Sequence, residues 1–280
     1  MLETSQESKF LKFLYQTIIG RFLLKLLSSR IVSFFAGKIL DSHFSKLLIS
    51  SFVRKHHINL EEYYSDSFQS FNDFFCRKIK EELRPIDYSK NVFISPCDGL
   101  LSAYKIKEDL ILPVKQSHYT LFSLIQNEEL VNKYRNGICL VFRLCVNHYH
   151  RYCYIDSGTH EKNVFIPGKL HTVRPIALES IPVFCENSRE YTTLHTNRFK
   201  DVFQMEVGAM LVGKIKNLHE NYNFSKGEEK GMFLYGGSTI ILLLEKDAVQ
   251  ISEYFFDNTK MGKETSVQMG EKLGVSKLKK

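Results

Sequence analysis

LYGGSTIILLLEK, residues 234–246, sets a Gly-Gly pair and Ser238 directly before an uninterrupted apolar run. The run from Thr239 to Leu244 reads as a buried strand, and Gly236-Gly237-Ser238 reads as the turn that enters it. A Gly pair accepts backbone angles that other residues resist. On these residues alone two readings stand: a plain turn into a core strand, and a hydroxyl held at a strained bend where it can act. The rest of the chain decides between them.

Upstream, short apolar runs alternate with Gly, Pro, Asn and Asp from Asn91 onward: NVFISPCDGLLSAYKI, GICLVFRLCV, HRYCYIDSG, NVFIPGKLHTV and VFQMEVGAMLVGKI. These are strands with turn punctuation. Residues 1–60 read instead as helices, with long apolar periodicity and few turn residues. Residues 61–90 read as helical too, ending near Arg84-Pro85. The expected architecture is α+β: a helical region over 1–60 followed by a β-rich catalytic domain over 61–280.

The chain of 280 residues is 44% apolar, enough for one large domain with an N-terminal appendage. Its net charge of +7 is uneven, because residues 1–60 hold nine Lys/Arg against three Asp/Glu. Within that segment FLKFLYQTIIGRFLLKLLSSRIVSFFAGKIL, residues 10–40, is strongly apolar but broken by Lys12, Arg21, Lys25, Arg30 and Lys38. No uncharged run reaches the roughly 18 residues of a membrane-spanning helix. A basic, apolar helical segment fits the surface of an anionic membrane, or a helical pair packed on its own domain. Nucleic-acid binding is disfavoured, since the cations sit in apolar sequence without a nucleic-acid motif. The six cysteines show no CxxC spacing, so neither a zinc site nor any other metal centre is expected. With no secretory signal, reduced thiols in the cytosol are expected.

Several polar residues fall in strand-and-turn contexts. SPCDG sets Asp98 in a Pro-x-Asp-Gly turn, itself a common turn pair. VNHYHRYCYIDSG puts His148 and His150 two residues apart, on one face if the segment is a strand, followed by Arg151 and Cys153. Glu206 precedes Val-Gly-Ala, with Gly208 and Gly213 as bends, and Lys226 precedes the glycines before the serine. Asp, His and Ser in three separate elements are the parts of an activated nucleophile. The serine context is nonetheless wrong for an ordinary hydrolase, because Gly-x-Ser-x-Gly between strand and helix is missing.

Taken together, FNDFFCRKIKEELRPID, SPCDG, YHRYCYIDSG, RPIALESIPVFCENSREY, MEVGAMLVGKI, KGEEKGMFLYGGSTIILL and ETSVQMGEKLG resemble, in order and spacing, the phosphatidylserine decarboxylase family of the Gly-Gly-Ser-Thr type. The resemblance covers about residues 71–274. It implies that Ser238 Oγ attacks the carbonyl carbon of Gly237, that the amide becomes an ester, and that β-elimination and hydrolysis leave a pyruvoyl group. The products are a chain of residues 1–237 and a chain of residues 238–280 that begins with pyruvoyl. It further implies a covalent pyruvoyl cofactor, a Schiff base with phosphatidylserine, loss of CO₂, and phosphatidylethanolamine as product. A homodimer, peripheral on the cytoplasmic face of the cell membrane, is the implied setting.

By position in the motifs, Asp98 matches the family's Pro-x-Asp-Gly aspartate and Ser238 its pyruvoyl serine. The family reads Asp-Tyr-His-Arg-x-His, where this chain has His148-Tyr149-His150-Arg151-Tyr152-Cys153. His150 matches the first histidine, Cys153 takes the place of the second, and His148 that of the aspartate. The expectation is that His150 becomes the base for Ser238, with His148 and Cys153 nearby and Thr239 as an oxyanion donor. That substitution requires a bend at His150 rather than a regular strand. Two other readings are an uncleaved lipid-binding homologue, suggested by Cys153, and a serine hydrolase using Asp98, His150 and Ser238.

Overall fold

A computed structural model describes residues 9–278 except 65–66, 108–110, 115–116, 179–180, 210–213 and 237. Among them, the apolar N-terminal segment forms helices α1 (Lys9–Gln16), α2 (Ile18–Leu27), α3 (Arg30–Asp41) and α4 (Ile49–His56). Capping explains the breaks. Thr17 Oγ1 accepts the Gly20 N–H to start α2, and Ser29 Oγ accepts the Val32 N–H to start α3. Gly20 is required at the α1–α2 elbow, where an added Cβ would meet the Phe13 carbonyl oxygen at 1.9 Å.

Residues 61–90 depart from the helical expectation. Among the described residues they hold only the short helix α5 (Phe71–Phe75), two single 3₁₀ turns and irregular chain. The Ser70 hydroxyl caps α5 by accepting the Asp73 N–H. Three phenylalanines in five residues bury α5, and burial rather than helical length sustains it.

The β-rich part is organised by an antiparallel sheet of nine described strands. At its centre Asp201–Val207, Ser238–Leu244, Ile138–Leu144 and Gly99–Lys105 lie side by side in that order. Ser238 pairs with Leu144, and Thr239 with Arg143 on one side and Val207 on the other. The Ser238–Leu244 strand is buried along its whole length, which is why its sequence is continuously apolar instead of alternating.

Alternation along this strand separates two cores. Ile241 and Leu243 face one core with Met205, Val141 and, from the N-terminal helices, Leu14, Tyr15 and Leu24. Ile240, Leu242 and Leu244 face the other, with Phe142, Leu101, Tyr152 and Phe233. The second face is covered by a small sheet of Ile215–Asn217, Glu229–Phe233 and Arg151–Cys153. The Glu229–Phe233 strand of this small sheet leads directly, through residues 234–237, into the Ser238 strand. The chain thus passes from one layer to the other between Phe233 and Ser238.

The N-terminal helices are buried on one side only. Ile18, Phe22, Phe44 and Leu47 are each more than 80% exposed, and Ile19, Leu26, Ile31, Phe34, Phe35 and Ile39 are exposed beside them. Among the described residues no helix is long and apolar enough to cross a membrane.

Candidate active site

Ser238 is fully buried, and its Oγ has no hydrogen-bond partner. An orphaned buried hydroxyl costs about 1–3 kcal/mol, so its persistence calls for a reason. By strand alternation it lies on the face of Ile240, towards the small sheet. Thr239 Oγ1, also unpartnered, lies on the opposite face with Ile241. The two hydroxyls therefore do not converge. Gly237 lies outside the described residues, as does Gly213. Gly236 has φ +135°, a conformation that favours glycine, so the backbone is sharply turned just ahead of the serine.

His150 ends a turn that follows the Ile138–Leu144 strand, and Arg151–Cys153 begins after it. The bend demanded by the sequence is present. His150 Nδ1 lies 2.9 Å from the His148 carbonyl oxygen. A carbonyl only accepts, so Nδ1 carries the proton and the Nε2 lone pair is bare. That Nε2 is buried without a partner. Burial, opposed by the His148 carbonyl bond, pushes the ring's pKa down to about 3, so it is neutral at physiological pH.

Phe75 ties this ring to the turn before Ser238. Its ring centroid is 4.2 Å from that of His150 and 5.1 Å from that of Tyr235. The backbone does the same, since the Phe233 N–H donates to the His150 carbonyl at 3.0 Å. His150 and Tyr235, the residue before Gly236, thus share one support in Phe75.

Asp98 lies in a turn closed by Ser95 Oγ donating to the Cys97 carbonyl. Its carboxylate partners among the described residues are Arg84 and the Met269 N–H. It bonds to no histidine, so the expected Asp–His–Ser chain of hydrogen bonds is not assembled. Arg84 is a participant the sequence reading missed. Its only sequence signal is its place in RPID, within the segment that carries the family resemblance.

His148 and Asp98 line one cavity of about 240 Å³ together with Arg84, Tyr63 and His56. The Cys145 N–H donates to His148 Nδ1, which leaves the proton of the neutral ring on Nε2. Burial lowers the His148 pKa, and the Asp98 charge acts the other way. Cys153 is buried behind the Asp98 turn, its N–H donating to the Pro96 carbonyl. Burial pushes its thiol up to about 12, which removes it as a base at neutral pH.

Two further residues resolve differently. Lys226 donates to the Ser89 and Val92 carbonyls and is a structural tie. Glu206 faces the small sheet as Ser238 does and forms an ion pair with Lys230, both essentially unexposed. Gln204, Asn217 and Lys230 all donate to the Glu206 carboxylate, which ties it into a structural network.

The pyruvoyl expectation can be set against these atoms. A serine that becomes part of a carbonyl group must have a hydroxyl free of other bonds and a base able to accept its proton. Ser238 Oγ is free of other bonds and His150 Nε2 keeps a bare lone pair; the two are not hydrogen-bonded to each other, and with that approach still to be made the residues fit the group.

Comparison with known proteins agrees with the motifs. The profile of the family described as phosphatidylserine decarboxylase matches residues 71–275. A Clostridium acetobutylicum protein named phosphatidylserine decarboxylase proenzyme 2 is 46% identical over 265 residues, covering 94% of this chain and 91% of that one. Proteins named phosphatidylserine decarboxylase proenzyme from Clostridium botulinum are similar as well. That of strain Hall is 41% identical over 282 residues, covering 99% and 96% of the two chains, and that of strain Eklund 17B is 44% identical over 276, covering 96% and 93%.

Proposed function

The chain belongs to the phosphatidylserine decarboxylase family, and from that premise we propose that it cuts itself between Gly237 and Ser238 to make its own pyruvoyl group. Its activity is that of a carboxy-lyase, taking CO₂ from phosphatidylserine to leave phosphatidylethanolamine. The observation that carries the self-cleavage reading is the pair of unpartnered buried atoms, one a hydroxyl and the other an imidazole lone pair.

His150 Nε2 takes the Ser238 hydroxyl proton, and Oγ attacks the Gly237 carbonyl carbon. The Ser238 amide nitrogen leaves carrying a proton, and an ester replaces the amide. A second proton, from Ser238 Cα, leaves as the ester breaks, so that Gly237 ends in a carboxylate. Hydrolysis of the resulting dehydroalanine releases ammonia. A glycine at the scissile carbonyl presents no side chain to the attacking oxygen.

The pyruvoyl group supplies an electrophilic ketone that engages the substrate amine and accepts the electrons left by CO₂. Asp98 and His148, which line one cavity, are assigned to the decarboxylation step. There His148 Nε2–H can hand a proton onward, under the charge of an Asp98 that Arg84 keeps in place. Cys153 is assigned no proton transfer, because burial holds it as a thiol.

The one-sided N-terminal helices support a peripheral seat on an anionic membrane, and the cytoplasmic face is part of the same proposal. Their exposed apolar side chains would enter the interface, and Arg21, Lys25 and Lys38 would meet lipid phosphates. A homodimer is part of the same reading. The division into a helical region over 1–60 and a catalytic domain over 61–280 is retained with it.

The test is direct. Purified protein with phosphatidylserine in mixed micelles should release CO₂ and form phosphatidylethanolamine, whereas Ser238→Ala should do neither. Turnover by Ser238→Ala would remove the reading.

A further inference from the structure

We propose that Asn72 is a positioning residue for self-cleavage, holding the backbone that leads into the Gly237–Ser238 bond against the end of the N-terminal helical layer. The proposal rests on the self-cleavage reading above.

Asn72 lies in α5 and is only 4% exposed. Its side-chain amide is used at both ends. Oδ1 accepts the Tyr235 N–H at 3.2 Å, and Nδ2 donates to Asp41 Oδ1 at 2.8 Å. This orientation is fixed by its partners. A flipped amide would set donor against the Tyr235 N–H and acceptor against the Asp41 carboxylate.

Tyr235 stands two residues before the scissile carbonyl. The chain has by then left its strand, with the Leu234 N–H donating to the Lys214 carbonyl and the Tyr235 N–H to Asn72. Gly236 follows at φ +135°. A glycine here has wide backbone freedom, so the direction in which it is entered matters for where the next carbonyl lies. Asn72 sets that direction.

The other end of the amide reaches Asp41, the last residue of α3, the helix that exposes Phe34, Phe35 and Ile39. The same connection is made twice more. Ser45 Oγ, just beyond α3, accepts the Phe71 N–H at 2.8 Å, and Phe52 of α4 packs edge-on against Phe71 and Tyr235. Through Phe75, α5 also holds the His150 ring. One short helix therefore carries the approach to the cleaved bond and the proposed base, and Asn72 is its polar link to the membrane-facing layer.

A residue that only glues helices together would change stability and leave the cleavage rate of folded molecules alone. The exchange of donor and acceptor separates the two roles. Asn72→Asp keeps an acceptor for the Tyr235 N–H but sets a carboxylate against Asp41. The double variant Asp41→Asn/Asn72→Asp keeps the bond from the Tyr235 N–H and restores the 41–72 bond with its polarity reversed. In pulse-labelled cell-free synthesis, followed by intact mass on the folded fraction, Asn72→Asp should convert to two chains about tenfold more slowly or worse. The double variant should return to within about threefold of wild type.

An Asn72→Asp variant that splits at the wild-type rate overturns the proposal, as does a double variant no faster than the single one. If Asn72→Asp does not fold, Asp41→Ala decides, since Asp41 is exposed and its loss leaves the core intact. Slower splitting with an unchanged melting temperature supports the link, and the wild-type rate overturns it. A wild-type chain that never splits removes the self-cleavage reading and this proposal with it. Normal wild-type splitting beside unaffected variants removes the proposal alone.

Discussion

Arg84 holds both carboxylate oxygens of Asp98, Nε to Oδ1 at 2.8 Å and Nη2 to Oδ2 at 2.6 Å. Both side chains are about nine-tenths covered. Two parallel charge-assisted bonds fix the plane of the carboxylate as well as its position. Breaking such a pair from one side leaves an uncompensated charge, at a cost of about 3 kcal/mol. Arg84→Met should lose that much stability in urea unfolding. Arg84→Met with Asp98→Asn should lose clearly less than the sum of the two single variants. Additive losses would mean the pair is not coupled.

The depressed His150 pKa has a stability consequence with a definite sign. Unfolded, the ring takes a proton near pH 6.5, and folded it does so near 3. Between these values the unfolded chain binds the extra proton, so stability is lost as pH falls through this window. From pH 6.5 to pH 5 the loss from this ring is about 2 kcal/mol. His150→Phe, which has no proton to bind, should show a pH dependence shallower by that amount. The measurement is denaturant unfolding of both proteins at the two pH values, and equal slopes would contradict the burial of a neutral ring.

Lys230 and Glu206 form the other buried pair, between the large and small sheets. Lys230→Met leaves the Glu206 carboxylate among Gln204 and Asn217 without its cation. The expected loss is about 3–5 kcal/mol. Thermal unfolding checks it, and Lys230→Met/Glu206→Gln should recover part of the loss.

The exposed helices make a prediction about lipid. Binding to vesicles containing phosphatidylglycerol should exceed binding to pure phosphatidylcholine and should weaken with salt. Phe22→Ser should reduce the affinity about tenfold, the effect of removing one inserted aromatic side chain. Cosedimentation measures both. Equal binding to neutral and anionic vesicles would contradict the electrostatic part of the account.

What the sequence made legible was local. The apolar strand from Ser238 and the N-terminal helices are written in adjacent residues, and both are present; the Gly-Gly-Ser turn includes Gly237, which lies outside the described residues. The reading of 61–90 failed because FNDFFCRKIKEEL has helix-forming residues, yet only Phe71–Phe75 of it is α-helical. Its place is set by aromatic packing with Phe52 and Tyr235, which no local pattern reveals. The same reason hid Arg84, Lys230 and Asn72, whose partners lie 14, 24 and 163 residues away. The orientation of Thr239, away from Ser238, follows from strand alternation and was open to inference from the sequence.

The central claim is that a bare imidazole nitrogen, His150 Nε2, activates a bare hydroxyl, Ser238 Oγ. The most direct measurement is the intact mass, over time, of newly folded wild-type protein beside His150→Ala and Ser238→Ala. The account predicts two chains for the wild type, the smaller beginning at residue 238 with a pyruvoyl group, and a single uncut chain for both variants. A His150→Ala chain that splits at the wild-type rate would contradict it.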